Sequence, residues 1–203
     1  MTTKKRFHFH DSPTAIETYT RKFDVEKPRV EDIHPLDIAH SLSLICRYGG
    51  HCKRFYSVAE HCIYCYDEAV RRNYPSGVRL MCLLHDGCEA YISDLGRPIK
   101  EAEGMAGYNQ MEDRIQEYVY ERFSTEIGQI RRSILWRAAI KEIDNASLAY
   151  EVPRLMRTKG KNWLDLNRIK PVEVKWYRWL WYRIPGRAKA GFIYRLKLHG
   201  IEV

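Results

Sequence analysis

The segment VRLMCLLHDGCEAY, residues 78–91, constrains this chain more than any other. Wound as a helix from about Pro75-Ser76, it is apolar almost all round, and such a helix must be buried. A buried helix needs cover on every side, so other helices must enclose it. The rest of the chain supplies them. Asp37 to Cys46 repeats apolar residues at Ile38, Leu42 and Ile45 before Gly49-Gly50-His51 breaks the pattern. Ser57, with Glu60 three residues on, has the form of a capping box and opens a helix to about Arg72. A helix from about Gly107 to Phe123 carries Met111, Ile115, Tyr118 and Val119 on one side. A long one from about Ile127 to Met156 carries Ile134, Ala138, Ile143, Leu148 and Leu155. No alternating strand pattern occurs in residues 36–156, and the expected class is all-α. Residues 1–35, punctuated by Pro13, Pro28 and Pro35, read as a polar, irregular arm. Residues 36–156 form the helical domain, and 157–203 a C-terminal extension.

Composition narrows the setting. The 203 residues are 45% hydrophobic and 12% aromatic, which permits a real core and excludes a disordered chain. No run approaches the roughly 18 apolar residues of a membrane span. MTTKKRFHFHDS has no apolar stretch of the signal-peptide kind, so the expected location is cytoplasmic. Charge is uneven. Residues 1–150 hold 21 Lys+Arg against 22 Asp+Glu, whereas residues 151–203 hold 13 against 4. Six cysteines are even in number, but a chain of this length needs no disulfide framework. Cys62-Ile-Tyr-Cys65 has no second CxxC to complete a zinc site, and the helical cysteines read as small apolar residues.

Polar groups interrupt apolar helical faces in three places: His61 in SVAEHCIYCY, His85-Asp86 in MCLLHDGCEAY, and Asp144 in AAIKEIDNASLAY. An unpaired charge there would cost several kcal/mol, and coordination to a cation removes that cost. A His-Asp dipeptide alone carries little weight, because the arm has another, His10-Asp11, which we read as a decoy. Context separates them: Asp86 follows Leu83-Leu84, and Glu89 falls three residues later on the same helix face. Two imidazoles and two carboxylates suit Mn, Co, Zn, Mg or Fe, and leave positions on the ion open.

The combination SVAEHC, LLHDGCEAYISDLGRPIK and IKEIDNASLAYE resembles the HD-domain metal-dependent phosphohydrolases, over about residues 36–156. Within them it is most similar to the branch of 5'-deoxynucleotidases and phage dATP triphosphohydrolases. The resemblance implies a compact helical bundle, a homodimer and a divalent metal ion. It implies His61, His85, Asp86 and Asp144 as metal ligands and Glu89 as the carboxylate that handles water or a proton. It further implies Asp94 as a contact to the substrate sugar and Arg47 as the arginine that orients phosphate, in ICRYGGHCKRFYSVAEH. Tyr48 stands where relatives often have Trp, as a wall for sugar or base, and Gly96 where Pro is more usual. Lys100 and Lys141 are read as further phosphate contacts.

The implied reaction is release of phosphate from deoxynucleoside 5'-monophosphates. The alternative is release of triphosphate from a deoxynucleoside triphosphate of the dATP type, and a signalling nucleotide is a more distant substrate. A non-enzymatic reading also stands, resting on Trp176, Trp179 and Trp181 interleaved with Lys175, Arg178 and Arg183. Aromatics among cations suit a nucleic-acid or membrane surface, with a merely structural metal. The expectation we prefer is that the extension forms a helix and a strand that pack their tryptophans against the domain, with the cations reaching outward.

Overall fold

The computed structural model describes residues 12–127, 134–161 and 166–203. The decoy pair His10-Asp11 lies outside them, as does the stretch 128–133 at the start of the expected long helix. The chain is a helical bundle with one small hairpin. Strands β1 (Ala15–Glu17) and β2 (Lys22–Asp24) pair antiparallel, with Ile16 opposite Phe23. Ten helices follow among the described residues: α1 (Pro35–Leu44), α2 (Val58–Arg71), α3 (Ser76–Leu84), α4 (Glu89–Ile92), α5 (Arg97–Lys100), α6 (Ala106–Arg122), α7 (Ser124–Ile127), α8 (Ile134–Leu155), α9 (Trp176–Trp181) and α10 (Pro185–Lys197). None is long and apolar enough to cross a membrane.

Helices α2 and α3 form the centre. Helix α2 starts where Ser57 Oγ accepts a hydrogen bond from the Glu60 amide at 3.1 Å. The Glu60 carboxylate does not reach back to complete the box. It turns inward to Arg54 and to the Tyr64 hydroxyl. Helix α2 packs on α1, α3, α8 and α10, and eleven of its residues are buried, including Val58, His61, Cys62 and Cys65. In α3, Val78, Leu80, Met81, Cys82, Leu83 and Leu84 are all buried, as the apolar run requires.

Two expectations need correction here. The segment 78–91 is not one helix: it breaks after Leu84 and resumes at Glu89. The Gly87 amide bonds Leu84 O at 2.9 Å, and Gln116 on α6 clasps the break from both sides. Its Nε2 donates to Leu84 O, and its Oε1 accepts from the Cys88 amide. A Cβ on Gly87 would lie 2.9 Å from Leu84 O and from Val119, so this tight turn needs glycine. Asp86 and Glu89 are therefore joined across a turn, by Glu89 N to Asp86 O at 3.1 Å, and not by a helix face. The arm is also less irregular than expected, because the hairpin buries Phe23 against Tyr91, with ring centroids 4.0 Å apart.

The C-terminal extension is a third correction. Its described part folds as two helices, with no strand. Ala188, Phe192 and Leu196 recur every four residues on α10 and are wholly buried against α1 and α2. Arg195 adds a bidentate pair to Asp67 on α2, Nε to Oδ1 at 3.0 Å and Nη2 to Oδ2 at 2.8 Å. The tryptophans do not fill that core. Trp179 is half-buried, stacked under the Arg54 guanidinium at 3.8 Å, but Trp176 is 75% exposed and Trp181 53%. The short α9 offers one inward side, and Trp179 takes it.

Candidate metal centre

Three elements bring the polar interruptions together. Helix α2 carries His61 on its buried face. The end of α3 presents His85 and Asp86 as the chain turns. Helix α8 presents Asp144, Ser147 and Glu151, spaced three and then four residues apart on one face. His61 Nε2 lies 3.1 Å from His85 Nε2, 3.6 Å from Asp86 Oδ2 and 3.4 Å from Asp144 Oδ1. His85 Nε2 lies 3.3 Å from Asp86 Oδ1 and 4.0 Å from Asp144 Oδ1. Four side chains singled out in the sequence thus direct donor atoms at one point. Cys65 Sγ approaches to 3.7 Å from His61 Nε2, and two triads, His61-Cys65-His85 and Cys62-His85-Asp86, also gather at metal-binding separations. A buried His/Asp/Cys cluster able to coordinate a metal ion is therefore present.

The donor set fits a cation on two counts. Both histidines have Nδ1 engaged, His61 with Glu151 Oε1 at 2.6 Å and His85 with Cys82 O at 2.9 Å. Both partners are acceptors, so each Nδ1 carries the proton and each Nε2 turns a lone pair toward the common point. Two lone pairs and two carboxylates facing each other repel unless a positive charge lies between them. The separations also suit: metal–ligand bonds of about 2.0–2.2 Å put neighbouring donors roughly 3.0–3.5 Å apart. Burial and the Arg47 guanidinium lower the His61 pKa, but Cys65, Glu151 and Asp144 outweigh them and raise it well above the imidazole range. Burial also opposes ionisation of Asp86 and Asp144. The histidines, with Arg47 for Asp86 and Lys141 for Asp144, still keep both below the usual carboxylate range.

Around the cluster, the Arg47–Gly50 turn runs through left-handed backbone at Tyr48 (φ 59°), Gly49 and Gly50. Arg47 Nη1 contacts Asp86 Oδ2 at 3.1 Å. Glu89 is buried and its Oε2 has no hydrogen-bond partner in the described structure. Burial, then Asp86 and Asp94, raise its pKa well above the carboxylate range. Asp94 is half-buried at the loop after α4. Lys100 pairs with Glu112 and stands 4.0 Å from Glu89, and Lys141 Nζ pairs with Asp144 Oδ2 at 2.7 Å. A cavity of about 610 Å³ opens beside the cluster, lined by His85, Asp86, Glu89, Lys100, Lys141 and Asp144 among others. Arg47, Tyr48 and Asp94 are not among its lining residues.

One residue escaped the sequence reading. Glu151 is 0% exposed and receives hydrogen bonds from Ser147 Oγ at 2.8 Å, Tyr56 at 3.0 Å and Tyr48 at 2.7 Å, besides His61. Burial would raise its pKa, but His61 and Arg47 bring it down to about 2. Its signal was its position, seven residues after Asp144 and on the same helical face.

No family profile matches the chain. Curated relatives do. The uncharacterized protein YfdR of Escherichia coli K12 is 37% identical over 160 residues, covering 78% of this chain and 82% of YfdR. An uncharacterized protein of Rhodobacter capsulatus is 34% identical over 142 residues, covering 66% of this chain and 69% of that protein. Identity at this level extends over most of both chains, and the chain belongs to the family of YfdR.

Proposed function

We propose that this protein is a metal-dependent hydrolase of deoxyribonucleotides of the HD type, releasing phosphate from deoxynucleoside 5'-monophosphates. The convergence of His61 Nε2, His85 Nε2, Asp86 and Asp144 on one point carries this reading. A divalent cation held there would acidify water and neutralise phosphate charge. The chain's own residues do the rest. Glu89, with a buried unpartnered oxygen at the cavity wall, orients the attacking water or passes a proton. Arg47 orients a phosphate oxygen with its planar fork once substrate competes for its contact with Asp86. Lys100 and Lys141 add positive charge at the cavity wall. Asp94 and Tyr48 select the sugar and base.

A second substrate class has its own support. A cavity of about 610 Å³ has room for three phosphates as well as one, which keeps a dATP-type triphosphohydrolase as the alternative. One assay separates them: deoxynucleoside mono- and triphosphates with Mn, Co, Mg and Zn, products resolved by charge. Inorganic phosphate from monophosphates supports the first reading and triphosphate the second. No turnover of any nucleotide with any of these metals sinks both.

A further inference from the structure

We propose that Glu151 is a positioning residue that sets both halves of the site at once: His61 for the metal, and the turn bearing Arg47 and Tyr48 for the substrate. This inference rests on the reading of the site given above. Its two oxygens divide the work. Oε1 accepts from His61 Nδ1 at 2.6 Å, steadied by Ser147 and Tyr56. Oε2 accepts from the Tyr48 hydroxyl at 2.7 Å and lies 3.4 Å from Arg47 Nε. On the first side the carboxylate keeps the proton on Nδ1 and frees Nε2 for the ion. On the second it restrains a turn whose Tyr48 occupies left-handed backbone, a conformation that a non-glycine residue keeps only with support from its surroundings.

A carboxylate buried only to complete the core would not need this division. Glu60 is the internal comparison. It is equally buried on the neighbouring helix, yet its carboxylate serves Arg54 and Tyr64, which touch neither the cluster nor the Arg47 turn through any hydrogen bond in the described structure.

Glu151→Gln tests the proposal. The carboxamide keeps the size but replaces one acceptor with a donor, so either His61 or the Tyr48-Arg47 side meets an N–H. Expected is a loss of about 10–100-fold in Mn affinity, the range for removing a partner behind a metal ligand. A similar direction is expected for inorganic phosphate binding to the Mn-loaded protein, and KM should rise. Glu60→Gln controls for burial alone: it should move the melting temperature and leave Mn and phosphate affinity unchanged. Unchanged Mn and phosphate affinity in Glu151→Gln overturns the proposal while leaving the metal reading intact. So does a loss that Glu60→Gln reproduces. A wild-type protein that binds no Mn, Co, Mg or Zn removes the site reading itself and this inference with it. Should Glu151→Gln not fold, nitrogen NMR of His61 in the Zn-loaded wild type decides: a protonated Nδ1 is expected, and Zn on Nδ1 refutes the role.

Discussion

The wedge between α2, α3 and α8 and the short helix α9 place residues in opposite ways. In the wedge, polar groups go inside: His61 and Glu151 are both 0% exposed. On α9, apolar groups go outside, with Trp176 and Trp181 more than half exposed beside the unburied Leu180. The energetic penalties differ. A buried ionised group is costly unless its polar atoms find partners, so each one inside marks an arrangement the fold must hold in place. An exposed tryptophan leaves nothing unsatisfied and costs only unrealised burial. The same chemical reasoning therefore assigns tight specification to the wedge and little structural demand to α9.

Breaking the wedge should have the largest effect. His61→Ala or Asp86→Ala removes a donor and exposes the remaining charges to one another. Bound metal should fall away, and nucleotide hydrolysis should drop by at least about a thousandfold, which corresponds to roughly 4 kcal/mol of the barrier. Metal analysis and turnover on the same sample check this, and full metal content in Asp86→Ala would show that the ion sits elsewhere. Glu89→Ala should lose turnover but keep its metal.

Next comes the C-terminal segment where it does enter the core. Phe192→Ala on α10 leaves a cavity between α1 and α2 and should cost about 3–5 kcal/mol in denaturant unfolding. A loss below about 1 kcal/mol would mean that α10 is only loosely attached.

A third prediction sharpens the contrast between the two buried carboxylates. Burial pushes Glu60 up to about 7, against the opposing pull of Arg54 and Tyr64. A carboxyl with a raised pKa is easier to bury protonated. Its contribution to stability is therefore full below its ordinary value of 4.5 and is lost as pH rises through about 7. Melting temperature followed from pH 4.5 to 7.5 should decline less steeply in Glu60→Gln than in the wild type. Equal slopes would mean that Glu60 is ionised throughout. The smallest effect belongs to α9: Trp176→Ala should change stability by no more than about 0.5 kcal/mol and leave hydrolysis untouched. A larger loss in the melt would show that α9 carries structure after all.

Periodicity alone made the bundle legible. The apolar run of 78–84, the recurrence at Ile38 and Leu42, and the Ser57 cap each follow from short-range physics, and α1, α2, α3 and α6 stand close to where those signals put them. The residues of the cluster were legible for a related reason: a histidine or carboxylate inside an apolar face is a local conflict, and local conflicts show in sequence. The break at Gly87 was not legible, because it depends on Gln116 from α6 reaching both sides of the turn. Glu151 was hidden for the same reason, since its partners other than Ser147 lie 90 and more residues away along the chain.

What the sequence determined by itself, then, is the helical class and which polar residues conflict with their surroundings, because both depend on neighbours within one or two turns. Tertiary structure alone decided that four donors from α2, the turn after α3 and α8 come together, that one carboxylate contacts both His61 and Arg47, and that Trp179 turns inward while Trp176 and Trp181 stay out. Those outcomes depend on which helix faces pack together. Packing is settled by the shape and charge of side chains far apart in the chain, which no local pattern records.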